Sequence, residues 1–256
     1  MEEKGNQMSF LEHLEELRWR LVKSAISIIL FAILIWIYQT EIIDHLFLSM
    51  KDPTFITYKL LCKYFSICTP EINIKIQSTA MGGQFSYAIM MSLMGGVVVA
   101  FPYVFYQIWS FIKPGLKQNE KSAVKGIVFY VSLLFFLGIG FGYYVVAPLC
   151  VQFFGTFQLS ENIENIFTVS SYMSTIFSTI FYTGLMFLLP VVAYILAKIG
   201  IITADFLKKY RKHSIVAVLI LAAVITPPDL ISQVIVAIPL LLLYEISIFV
   251  TKRIKN

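Results

Sequence analysis

Apolar residues fall along the chain in six runs separated by polar segments, and their spacing predicts helices. The first helix begins ahead of its apolar run. Phe10, Leu14, Leu17 and Leu21 recur at helical spacing with charge on the opposite face, so 9–20 reads as an amphipathic helix. Ser9 and Glu12 stand at capping-box spacing. Glu12, Glu15 and Glu16 precede Arg18, Arg20 and Lys23, the order a helix dipole favours. Glu16 and Arg20 also form an i,i+4 pair in the stabilising direction. The run 21–38 follows at once, with Lys23 its one charge, and predicts a first membrane-spanning helix.

Segment 39–77 is polar and mixed and reads as an extramembrane loop. From 78 to 112 no residue is charged, which is too long for one straight span. Pro102 predicts a break there, between a span over 79–101 and a short surface helix. Tyr103, Tyr106, Trp109 and Phe111 of that helix suit an interfacial aromatic belt. A basic loop, 113–125, holds Pro114-Gly115 and a single acid, Glu120. The third span is 126–149, where Gly138 and Gly142 would let another helix approach closely. After a loop without Lys or Arg, the fourth span covers 172–197 with a kink near Pro190. Segment 198–213 is strongly basic. The fifth run, 214–226, has only thirteen residues, and Pro227, Pro228 and Asp229 turn the chain into a sixth, 230–250. Thirteen helical residues rise ~20 Å, short of a hydrocarbon core of ~30 Å. The last pair is therefore either a re-entrant hairpin or a span through thinned bilayer.

Composition turns these runs into a class. The chain is 58% hydrophobic and 14% charged, against roughly 25% charged in a soluble domain. This is the composition of an all-α polytopic membrane protein, read as one membrane domain over 1–256. Segment 1–7 carries acid and the first apolar run reaches spanning length, so no cleavable leader is expected. Sixteen Lys and Arg fall on the side of the N-terminus and four on the other. That asymmetry puts both termini in the cytoplasm. The net charge of +5 then reports topology, not nucleic acid. Glu16 and its neighbours thus sit at a bilayer surface whose own charge is negative, a placement that asks for a basic partner.

Candidate chemistry is sparse. His13, His45 and His213 all lie outside the apolar cores, and no Ser–His pair, aspartate pair or phosphate loop stands within them. Enzymatic activity, a metal and a cofactor are not expected. Glu245 is the one carboxylate inside an apolar run, read either as a functional intramembrane acid or as the partner of a nearby Lys or Arg. Cys62 and Cys68 could pair as a disulfide in an oxidising compartment, or remain free thiols. A small-solute carrier is the alternative from another class, although the mid-span positions it would use carry no charge.

Three motifs resemble one family. Phe10-Leu11-Glu12-His13-Leu14-Glu15-Glu16-Leu17-Arg18 is similar to the amino-terminal signature of TatC, the multispanning subunit of the twin-arginine protein translocase. Pro102-Tyr103, Tyr106-Gln107-Ile108-Trp109-Ser110-Phe111-Ile112 and Pro114-Gly115-Leu116 through Glu120 resemble its first cytoplasmic loop. Thr226-Pro227-Pro228-Asp229, with Ser232-Gln233 and Ala237-Ile238-Pro239, resembles its last periplasmic turn and sixth helix. The resemblance implies six helices in a glove-like arrangement in the inner membrane. It also implies a receptor for signal peptides bearing consecutive arginines on folded proteins, driven by the proton-motive force. Single-span subunits of the TatA and TatB type would be its partners, along with lipid and further copies of itself in a receptor complex. By position, Glu16 and Glu120 match the acids of arginine recognition, Arg18, Phe111, Pro114 and Leu116 the residues around them, and Asp229 the acid of the last turn. Leu188 stands where many relatives carry Glu or Gln, and the loop with Cys62 and Cys68 is longer than in many of them.

Overall fold

An uninterrupted helix, α1 (Phe10–Ile37), joins the charged N-terminal segment to the first apolar run. At 1.5 Å per residue it is about 42 Å long, so the amphipathic piece and the span are one rod. The structure, a computed structural model, describes residues 10–65, 74–112, 126–160, 162–226 and 229–253. Short α, π and 3-10 turns over 39–51 lead to α2 (Ile56–Phe65) and a strand, β1 (Lys75–Gln77). Then come α3 (Gly83–Ile112), α4 (Ile127–Phe141), a π turn (Gly142–Val146) and α5 (Ala147–Thr156). Strand β2 (Ile166–Thr168) precedes α6 (Val169–Met186), α7 (Leu189–Lys198), α8 (Ala204–Lys209), α9 (Arg211–Ile225) and α10 (Leu230–Lys252). Among the described residues, five stretches are long and apolar enough to cross a membrane: Glu12–Ile37, Gly83–Ile112, Ile127–Thr156, Val169–Lys198 and Ser232–Lys252. The fifth apolar run, α9, stops at 15 residues.

Two prolines with equal sequence signals act differently. The break that Pro102 predicts is absent, since α3 runs straight through it. A break in lipid would leave several backbone groups without partners, whereas continuing the helix forfeits only one bond. Trp109, assigned to an interfacial belt, is accordingly buried on this helix, while Tyr103 and Tyr106 are exposed. Near Pro190 the kink does form. Helix α6 ends at Met186, and Pro190 enters the first turn of α7, where its missing N–H has no helical partner to lose.

The chain clusters into two units. The first contains Met1–Gln39 and Ala88–Ser132, hence α1 and most of α3. They approach closely at Gly96, where an added Cβ would lie 2.7 Å from the Ile28 carbonyl oxygen and 2.9 Å from the Ala32 nitrogen. Ser92 and Ala100, one turn to either side, are buried as well.

The second unit holds Thr40–Tyr87 and Leu133–Asn256. Its core joins Val146 and Cys150 to Val218, Ala222 and Ile225 of α9 and Val236 and Leu240 of α10. Gly138 and Gly142 do seat a neighbouring helix. A Cβ on Gly138 would sit 2.9 Å from the Gly184 Cα, and one on Gly142 would sit 2.9 Å from the Ile180 Cα.

Residues 39–65 and 74–77, part of the segment read as an extramembrane loop, are folded. Tyr58 is buried, and its hydroxyl donates toward the carbonyls of Met50 (3.0 Å) and Pro148 (2.8 Å). Thr57 donates to the Tyr144 carbonyl, Tyr143 to that of Leu46 (3.1 Å) and Tyr172 to that of Phe47 (3.0 Å). Burial pushes the Tyr58 hydroxyl pKa up, with Tyr172 and Cys150 adding to it. Strands β1 and β2 pair in parallel, Ile76 opposite Phe167. Lys75 closes the pair with a 2.8 Å bond to Glu164, whose carboxyl it holds below the usual range by that hydrogen bond and by its charge. Cys62 is disulfide-bonded, and Cys150 is free and buried. Cys68 lies outside the described residues.

Candidate functional site

The first unit carries a polar cluster where the charged N-terminal turns of α1 face the C-terminal turns of α3. On α1, His13, Glu16, Arg20 and Ser24 follow one another at intervals of three and four and share a face. On α3, Gln107 and Phe111 continue the line set by Ser92, Gly96 and Ala100. The close approach at Gly96 fixes the spacing that lets these two faces meet. The Arg20 Nε donates to Glu16 Oε1 at 3.0 Å, and its Nη2 donates to the same oxygen. The Arg20 Nη1 reaches Gln107 Oε1 at 3.5 Å. Ser24 donates to the Arg20 carbonyl at 2.9 Å. The His13 ring stacks on Phe111, with centroids 4.3 Å apart and planes at 16°.

One atom of this cluster is left over. The Glu16 side chain is 24% exposed, but its Oε2 is buried and has no hydrogen-bond partner among the described residues. An ionised carboxylate offers about four acceptor positions, and here one oxygen takes two donors while the other takes none. A buried acceptor without a donor costs about 1–3 kcal/mol, more when charged. Glu16 Oε2 can therefore accept a further donor, and a planar guanidinium supplies donors in matching geometry.

Of the residues singled out in the sequence, Glu16 and Phe111 meet here. Arg18 is exposed and lies off the shared face. Pro114, Leu116 and Glu120 fall outside the described residues, as do Pro227 and Pro228. Asp229 caps α10, accepting from Ser232 N and Ser232 Oγ, each at 2.9 Å. Glu245 pairs with Arg211 at 2.7 Å, a cation from the 198–213 segment rather than from the C-terminal tail. His13, Arg20 and Gln107 complete the cluster without having been candidates. The i,i+4 pairing of Glu16 with Arg20 was legible, but the α3 partners depend on a contact across 87 positions of chain.

Known proteins are similar to this chain in sequence and in fold. The family model described as Sec-independent protein translocase protein (TatC) matches residues 12–239. That is most of the chain, and it contains the whole cluster. The chain belongs to the TatC family. A TatC of Blattabacterium from Periplaneta americana is 39% identical over 98% of this chain and 97% of its own. The TatCy protein of Bacillus subtilis is 33% identical over 97% and 91%, respectively. Two crystal structures of the twin arginine translocase receptor TatC, one of them in DDM, superpose with TM-scores of 0.70 and 0.67 at 32% identity. Each covers 94% of this chain, and this chain covers 99% and 98% of theirs. Among this TatC-family protein's candidate residues, Glu245 alone lies beyond the matched stretch.

Proposed function

We propose that the α1–α3 cluster receives the consecutive arginines of a twin-arginine signal peptide, making this protein the receptor subunit of a Sec-independent translocase. The unpartnered Glu16 Oε2 carries the proposal, because it is a buried anionic acceptor already bordered by one guanidinium. Phe111 and His13 supply a flat stacked surface beside it, suited to the stems and planes of arginine side chains. Glu120 takes the second arginine, with Arg18, Pro114 and Leu116 shaping the peptide's path. Asp229, with Pro227 and Pro228, serves as the acid and prolines of the family's last periplasmic turn. Folded precursors, TatA- and TatB-type single-span subunits and further copies of the chain are its partners. The proton-motive force drives the transport. Both termini face the cytoplasm of a cell whose inner membrane holds the protein. Membership of a translocase family leaves no role for the small-solute carrier alternative.

Binding of a fluorescent signal peptide to the full chain in detergent tests the assignment. Losing one charge-assisted bond costs about 1.5–3 kcal/mol, so Glu16→Gln should weaken an Arg-Arg peptide at least roughly tenfold. A Lys-Lys peptide should lose far less to the same substitution. Equal loss for both peptides, or none for either, would overturn direct contact at Glu16.

A further inference from the structure

The basic segment between the fourth and fifth apolar runs is left unused by signal recognition, yet it has a built surface. Phe206, Tyr210 and His213 pack against one another in sequence, with centroids 4.6 Å and then 5.6 Å apart and ring planes tilted by 44° and 57°. Phe206 and Tyr210 are exposed, and so is His213. Two contacts pin this row to α10. The Tyr244 hydroxyl donates to the Leu207 carbonyl at 2.7 Å, and Arg211 pairs with Glu245 at 2.7 Å. Glu245 thus engages Arg211 in a half-exposed ion pair and ties the segment to α10. Lys208 is taken by Asp205 at 3.6 Å. Lys209 and Lys212 flank the aromatic row, are exposed, and have no carboxylate partner among the described residues.

An exposed aromatic row at the ends of apolar helices suits the depth of lipid headgroups. Unpaired lysines beside it suit their phosphates, at about a fivefold gain in affinity for each cation near an anionic surface. A soluble acidic peptide would satisfy the lysines and leave the rings in water. A lipid satisfies both. We propose that the face formed by Phe206, Tyr210, His213, Lys209 and Lys212 binds the headgroup of an anionic phospholipid. The site is separate from the α1–α3 cluster.

Native mass spectrometry of the full chain, titrated with dioleoyl phosphatidylglycerol or dioleoyl phosphatidylcholine, reads the binding directly. The protein should retain phosphatidylglycerol preferentially. K209Q/K212Q should lower that affinity roughly thirtyfold, while K209R/K212R should keep it. F206S/Y210S should also weaken phosphatidylglycerol, since the rings contribute contact as well. Unchanged phosphatidylglycerol affinity in K209Q/K212Q would overturn the proposal. So would displacement of the lipid by glycerol phosphate at equal concentration, which would mark a site for free phosphate. Signal-peptide affinity measured on the same samples should be the same in all these variants, so failure here and failure of the receptor reading are told apart.

Discussion

At the scale of single residues, the two most constrained side chains differ in what they lack. Tyr58 has more acceptors around its hydroxyl than it has protons, and Glu16 has an acceptor without a proton to take. Tyr58→Phe removes the buried donor that the Met50 and Pro148 carbonyls share. The cost should be about 1–3 kcal/mol, read as a fall of roughly 2–12 °C in melting temperature in detergent. Alkali should act in the same direction. The raised pKa keeps this hydroxyl protonated in the folded chain while the unfolded chain ionises near 10. Its contribution is therefore complete below that pH and declines above it, and Tyr58→Phe should flatten that decline. None of this was legible in the sequence, where Tyr58 is an ordinary polar-loop aromatic. Glu16 was legible because charge beside an apolar run is conspicuous, but its unfilled oxygen follows only from where Arg20 points.

Elements were read well where periodicity alone decides and poorly where a backbone choice depends on its surroundings. All six apolar runs lie in helices, with the second continuing to Ile112 and the third to Thr156. The contrast between Pro102 and Pro190 was not legible, because each occupies an apolar stretch and only the surrounding helix geometry separates them. Glycines give a sharper test at this scale, since α4 and its continuation hold three with different neighbours. Gly138→Ala would press against the Gly184 Cα and the Phe187 side chain, and Gly142→Ala against the Ile180 backbone. Each should destabilise by about 1–3 kcal/mol. Gly140→Ala meets nothing within 4 Å and should be neutral or stabilise by up to about 1 kcal/mol. Thermal unfolding of the three variants checks the order, and a loss at Gly140 equal to the others would refute it.

For the molecule as a whole, the open question from the sequence is how a short fifth helix serves a membrane path. Helix α9 rises about 22 Å against a core of ~30 Å, while α10 is long enough to cross. If both cross and the charge asymmetry sets the orientation, Leu230→Cys should react with a membrane-impermeant maleimide added outside intact cells. Thr203→Cys should react only after permeabilisation. Both residues are exposed in the fold, so silence at Leu230 would mean a re-entrant hairpin, and labelling at Thr203 would reverse the topology. The division into two units was not foreseen by hydropathy, which treats all six runs alike. It reflects pairing. Helix α1 leaves most of its apolar surface uncovered and packs along one narrow stripe.

The parallel strand pair also imposes an order in time. Lys75 and Ile166 are partners across 91 positions, with α3, α4 and α5 made between them. At ~5–20 residues per second a ribosome needs roughly 5–20 s to supply the second strand after the first. Throughout that interval β1 presents an unpaired edge, while the intervening helices are still being threaded into lipid. The ribbon therefore closes late in synthesis, after the helices between its strands have been made.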